Sequence, residues 1–252
     1  MKPVSISDTS LPGQIWNHAA QLDNIPVIST RNLVPPGARA VFIAPHPGDE
    51  VVTCGWLLQL LSALGHPLQL ISITDGSASH PGSRQWSEKR LSVFRPQESV
   101  EALRRLGLPM HSLKWIRGGF TDNALNEREA ELAQFIARYL RADDVVFTTW
   151  SEDGHPDQAA VGRAAARAAD SVGATFNEVP VWAWHRPARD HTHIPWHRAR
   201  KLRLDTWTVA RKSHATHAYA TQLDGDPAIG LAPLIPPVLL ERMRLPYEIV
   251  FV

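Results

Sequence analysis

Ala40-Val41-Phe42-Ile43-Ala44-Pro45-His46-Pro47-Gly48-Asp49-Glu50 is the stretch on which the rest of the chain can be ordered. An unbroken apolar run stops in a turn that carries a histidine and two acids. An almost wholly apolar segment, Val51 to Leu64, follows at once and is closed by Gly65. A continuous apolar run of this length is the pattern of a strand covered on both faces, and the longer run behind it is that of a packed helix. Leu68-Gln69-Leu70-Ile71-Ser72-Ile73-Thr74 reads as a second strand. Strand, helix and strand in so short a span make a right-handed βαβ unit with parallel strands. In open sheets of this kind ligands sit beyond the carboxyl ends of the strands. His46, Asp49 and Glu50 are therefore placed where such folds keep their chemistry.

The remaining chain repeats this alternation. The reading expects a helix over 87–106 containing Pro96, a strand at 111–116, an amphipathic helix at 126–140, a strand at 144–149, an alanine-rich helix at 159–169 and a strand at 177–184. Helical segments are expected at 204–221 and 237–243, with a closing strand at 247–252. The expected fold class is α/β: a Rossmann-like, mostly parallel sheet flanked by helices, in a single domain. Residues 1–37, rich in Ser, Thr, Asn and Pro, read as an N-terminal leader packed on the body. Residues 38–252 form the α/β domain, with 185–252 as a C-terminal decoration.

Composition narrows the partners. A net charge of +1 over 252 residues gives no global electrostatic case for nucleic acid or membrane binding. The single cysteine, Cys54, excludes an intramolecular disulfide and a cysteine-rich metal site. No apolar run is long enough to span a bilayer and the first residues lack a signal-peptide core, so a cytoplasmic location is expected. The oligomeric state is left open. Twelve histidines and nine tryptophans stand out. The segment His185–Lys201 holds four of those histidines with arginines and Trp196, and reads equally as a ligand-gripping strip, a solvated arm or a subunit contact.

Two turns share one grammar. His46-Pro47-Gly48-Asp49-Glu50 follows the first strand, and His155-Pro156-Asp157-Gln158 follows the fourth. Each sets a histidine at a strand end and an acid at the mouth of a helix. The plain reading is helix capping, with the acids at the positive end of the dipole. The functional one is a shared metal site, because imidazole nitrogen with carboxylate oxygen suits zinc.

These motifs resemble the PIG-L/LmbE-like N-deacetylases. Ala44-Pro45-His46-Pro47-Gly48-Asp49-Glu50 is similar to the Ala-His-Pro-Asp-Asp-Glu signature of that family. Thr74-Asp75-Gly76, Arg95-Pro96-Gln97-Glu98, Asp153-Gly154-His155-Pro156-Asp157-Gln158 and Glu178 to His185 resemble later family motifs in the same order. The resemblance implies a zinc-dependent hydrolase that removes acetyl from an N-acetylated amino sugar or glycan precursor. It makes His46, Asp49 and Gln158 the metal positions and His155 the group that stabilises the oxyanion or protonates the leaving amine, oriented by Asp157. Arg95 and His80 are weaker candidates for contact with a sugar-like substrate.

Two positions depart from the family pattern. Gly48 stands where the general base is expected, and Gln158 where the third, histidine ligand is expected. Glycine cannot accept a proton, and a neutral amide oxygen is a poor exchange for imidazole at zinc. The expectation is an altered metal site with weak or absent zinc. The alternative is a non-catalytic member that binds a sugar-like ligand or a protein partner.

Overall fold

The computed structural model describes residues 22–181 and 193–252. Its core alternates strand and helix: β1 (Ala40–Ala44), α1 (Asp49–Ala63), β2 (Leu68–Thr74), α2 (Glu88–Arg105), β3 (Lys114–Phe120), α3 (Glu129–Ala137), β4 (Val145–Thr149), α4 (Pro156–Val172) and β5 (Thr175–Val179). The C-terminal part adds β6 (Ala199–Arg203), α5 (Thr206–Thr216), α6 (Pro237–Arg242) and β7 (Tyr247–Phe251). The seven strands lie in the order β3-β2-β1-β4-β5-β7-β6. The first five are parallel; β7 runs antiparallel to both β5 and β6. The expected mostly parallel α/β sheet is therefore present.

The side-chain alternation of the central strands explains why they carry no polar face. Phe42, Leu70 and Phe147 pack in the core shared with α1, α2 and the C-terminal segment. Val41, Ile43, Ile71 and Val146 pack on the other side against α3 and α4. With both faces covered, each strand must be apolar at every position. Phe42 and Phe147 stack across β1 and β4 at 5.3 Å. Helix α1 is buried nearly all round because it lies between the sheet and α5.

Several boundaries differ from expectation. The third strand is Lys114–Phe120, not 111–116. It is an edge strand with mostly half-exposed or exposed residues, and its register shifts between Ser72 and Thr74, so no clean apolar pattern marks it. The helix expected at 126–140 begins as a 3-10 turn at Leu125–Arg128 and is α-helical over Glu129–Ala137. The fifth strand is Thr175–Val179, since Pro180 lacks the N–H that would continue the ladder. The helix expected over 204–221 divides into α5 and a short turn at Ala220–Leu223. Of the expected leader, residues 1–21 lie outside the described residues, as do residues 185–192 of the His185–Lys201 segment. Near the N-terminus Val27 bridges to Lys201 on the outer edge of β6.

Strand order places the site. β1 and β4 are neighbours, but the crossovers from them run to opposite sides, to β2 and to β5. This is the topological switch point, where the loops diverge and leave a crevice. The turns after β1 and β4 both open there.

Candidate functional site

His46 leaves the end of β1 and lies between three carboxylates. Its Nε2 is 3.0 Å from Asp157 Oδ2 and 3.1 Å from Asp122 Oδ1, and its Nδ1 is 3.3 Å from Asp49 Oδ2. Burial favours the neutral ring, but the hydrogen bonds to Asp122, Asp157 and Asp49 outweigh it and hold His46 protonated well above the ordinary histidine range. Burial also opposes the charge on Asp122, yet the His46 bond and the Ala78 N–H bring its pKa down to about 2. Asp122 follows β3 and has no place in the sequence reading. Thr121-Asp122-Asn123 carries no histidine or motif, and only the shared rim position could have pointed to it.

Asp157 sits in the first turn of α4. Its carboxylate accepts the backbone N–H of Asn123 at 2.8 Å and of Leu125 at 3.2 Å, as well as the His46 contact. It therefore orients His46 and the loop after β3, not His155 as expected. The correction follows from geometry: the carboxylate faces β1 and β3, and His155 receives only the backbone N–H of Asp157, at its Nδ1, 3.2 Å away. That bond makes His155 the N-cap of α4, the plain reading of this histidine. With Nδ1 accepting, the neutral ring carries its proton on Nε2. Burial and the adjacent His46 charge lower the His155 pKa, so the neutral form prevails. The two rings meet edge to face at 5.2 Å.

The positions of the two departures are tied into the same network. Gln158 is buried and donates from Nε2 to Asp49 Oδ1 at 3.0 Å, which leaves its own Oε1 buried without a partner. Asp49 Oδ2 accepts the His46 backbone N–H at 3.0 Å. Gly48 has φ of 109° and opens α1 with no side-chain cap. Its N–H is held by Glu50 Oε2 at 2.9 Å, and Glu50 in turn accepts from the Tyr219 hydroxyl at 2.7 Å. Glu50 thus bonds loop backbone, and burial raises its pKa.

Arg95 and His80 lie beneath and beside this rim. Arg95 is only 3 % exposed and donates from Nη1 to Gly76 O at 2.6 Å and from Nη2 to Pro47 O at 2.9 Å. It clamps the first and second rim loops together. Glu98 accepts from Thr221, through both N–H and hydroxyl, and forms no hydrogen bond with Arg95. His80 is buried, with Nδ1 2.8 Å from Ser79 Oγ.

The donor set is a poor match for zinc. His46, Asp122 and Asp157 are a histidine–aspartate–aspartate group whose donor atoms converge to within 4.8 Å. Yet both ring nitrogens of His46 face carboxylate oxygens, so the ring acts as a double donor with no free lone pair. Both carboxylates of that group also accept backbone N–H groups. Among the positions the family resemblance points to, Gln158 turns its NH2, not its oxygen, to Asp49. This arrangement does not fit a zinc ion.

Comparison with known proteins bears on ancestry. The family model described as PIG-L, GlcNAc-PI de-N-acetylase, matches residues 41–169, just over half of the chain. The chain belongs to the PIG-L family. Among solved structures of the same fold, a conserved protein from Thermus thermophilus is 23% identical, with TM-score 0.56, over 81% of this chain and 84% of that one. The A40926 pseudoaglycone deacetylase is 20% identical, with TM-score 0.60, over 86% and 97%. The N,N'-diacetylchitobiose deacetylase from Pyrococcus horikoshii is 18% identical, with TM-score 0.54, over 86% and 81%. None of the curated proteins matches the chain by sequence. The PIG-L match spans every rim residue of the site except Tyr219, Thr221 and Gln222, which the C-terminal part contributes. Among the described residues no helix is long and apolar enough to cross a membrane.

Proposed function

We propose that this PIG-L protein binds an N-acetylated amino-sugar ligand at the switch-point rim but does not hydrolyse it by a zinc-and-base route. The observation that carries the reading is the bond from Gln158 Nε2 to Asp49 Oδ1, which turns two positions expected to hold metal into a closed donor–acceptor pair. Gly48 offers no proton acceptor at the other flank of Asp49. Losing a general base costs roughly two to four orders of magnitude in rate. The ligand class follows from the family description and from relatives named as deacetylases of diacetylchitobiose and of a pseudoaglycone. What the rim retains suits recognition. His155 offers an Nε2–H donor in a fixed tautomer, and Asp49 lies beside it on the same rim. A small-molecule ligand at a cytoplasmic location is in keeping with this reading.

A residual hydrolase is the second reading, and His155 is what favours it, since a neutral imidazole at a helix mouth can take a proton from an attacking water and return it to a leaving amine. Zinc content after dialysis, titration of N-acetylglucosamine binding by calorimetry, and deacetylation with added zinc separate the two. The expected results are zinc well below one per chain, measurable binding and no turnover. Near-stoichiometric zinc together with turnover that disappears in His155→Ala would overturn the proposal.

A further inference from the structure

The C-terminal segment reaches the rim at three nearly consecutive residues. Tyr219 bonds Glu50, Thr221 bonds Glu98, and Gln222 donates from Nε2 to Pro47 O at 2.9 Å. The backbone of Gln222 is itself fixed, its N–H on Tyr219 O and its carbonyl accepting from Ile235 N–H. Its side chain is 5 % exposed and lies directly over Gly48. A Cβ added at Gly48 would stand 3.0 Å from both Nε2 and Oε1 of this carboxamide. That is tighter than nearly all carbon contacts of this kind, so the amide end would have to give.

We propose that Gly48 and Gln222 are one co-adapted pair, in which the Gln222 carboxamide fills the room that a side chain at position 48 would need to reach the site. The chain has then not merely lost an acid. It has put a neutral amide, supplied from outside residues 41–169, in the place of a proton acceptor. A carboxamide donates and accepts hydrogen bonds but takes up no proton near neutral pH. Gln222 therefore acts as a positioning residue: it holds the Pro47–Gly48 turn and keeps a neutral, polar group against Gly48. Restoring an acid at 48 requires the amide end of Gln222 to give way by a few tenths of an ångström.

The pairing rests on the reading of Gly48 as the vacated base position, but it can be measured apart from it. The melting temperatures of the native chain, Gly48→Asp, Gln222→Ala and the combination form a cycle. The positive φ of Gly48 makes any side chain there costly, and that cost stays in both backgrounds. The clash with Gln222 does not. The expected result is that Gln222→Ala lowers the melting temperature of the native chain but raises that of Gly48→Asp, a non-additivity of about 2–4 °C or more. Equal shifts in the two backgrounds would overturn the pairing. Should Gly48→Asp not fold, Gly48→Ala makes the same Cβ contact and completes the cycle. A second arm reads function, which packing alone would not move. In a Gly48→Asp, Gln158→His chain supplied with zinc, adding Gln222→Ala is expected to raise kcat for N-acetylglucosamine deacetylation about tenfold or more, with KM little changed. An unchanged kcat in a chain that does turn over would count against the pair. Absence of turnover in every background would instead count against the vacated-base reading, leaving the melting cycle to decide the pairing.

Discussion

Asp157→Ala is expected to cost about 3–5 kcal/mol, seen as a fall in melting temperature of about 10 °C, because it removes one partner from a buried pair. Asp157 is 1 % exposed and its carboxylate meets three donors: His46 Nε2 and the N–H groups of Asn123 and Leu125. Alanine leaves the two backbone N–H groups facing a void and strips His46 Nε2 of one of its two carboxylates. The Asn123 bond carries a further burden, because Asn123 is the only non-glycine residue with positive φ among those described, at 62°. Asparagine tolerates that region, but the loop needs something to hold it there. Asp157→Asn keeps the volume and one acceptor oxygen, so a smaller loss is expected. The pH dependence of that smaller loss has a definite sign. Burial works against the Asp157 charge, but the bonds from His46, Leu125 and Asn123 prevail and its folded pKa lies below the ordinary value. A depressed acid stabilises the fold above its unfolded pKa, near about 3.9, and loses that contribution as pH falls towards the folded value. His46, shifted upward, stays protonated throughout this range. The native chain should therefore melt well above Asp157→Asn at pH 6, and the gap should shrink as melts are taken down to pH 3. A gap that is constant or grows towards acid would show that the charge on Asp157 is not what is being measured.

The contrast between what the sequence disclosed at this site and what it hid has a physical origin. The turn after β1 was readable because its signals are local: an apolar strand, a helix start and polar groups between them within eleven residues. The parallel alternation of strands and helices put both turns on one rim of the sheet, but the meeting of His46 with the α4 turn depends on β1 lying beside β4, which only the fold shows. Local capping also told the truth about His155. What stayed hidden is non-local. Asp122 acquires meaning only when β3 is laid beside β2, and β3 is the strand whose pattern is least regular, with Gly118 and Gly119 in its span. Gln222 lies 175 positions from Pro47 and is preceded by no motif. The role of Asp157 was half legible. Its position was evident, but its choice of His46 over His155 depends on how far α4 is rotated about its axis, which no spacing in the turn reveals.

Arg95→Met is expected to be at least as damaging as Asp157→Ala, costing about 3–5 kcal/mol or failing to accumulate as folded protein. The guanidinium bridges Pro47 and Gly76, and both carbonyls lose a buried charged donor once it is gone. It also sits near Asp122, Asp49, Glu98 and Glu50, four acids whose charges are tolerated partly because a fixed cation lies among them. Lysine would not repair this. An ammonium is a compact charge that cannot place two donors in the planar geometry by which Nη1 and Nη2 reach two separate loops. Arg95→Lys should therefore recover well under half of the loss. The partner position makes an independent check, since Gly76 has φ of 65° and a Cβ there would lie 2.1 Å from Arg95 Nη1. Gly76→Ala must either displace the guanidinium or move the loop, so a loss of at least about 2 kcal/mol is expected from backbone strain and the broken bond together. In an Arg95→Met background the steric part of that cost is relieved, and Gly76→Ala should be milder there than in the native chain. Chemical denaturation of the four proteins measures this directly. If Arg95 were instead poised to grip a ligand, Arg95→Met would leave stability near the native value and abolish N-acetylglucosamine binding alone. A clamp loses stability first, and any loss of binding follows from the loosened turn at Pro47.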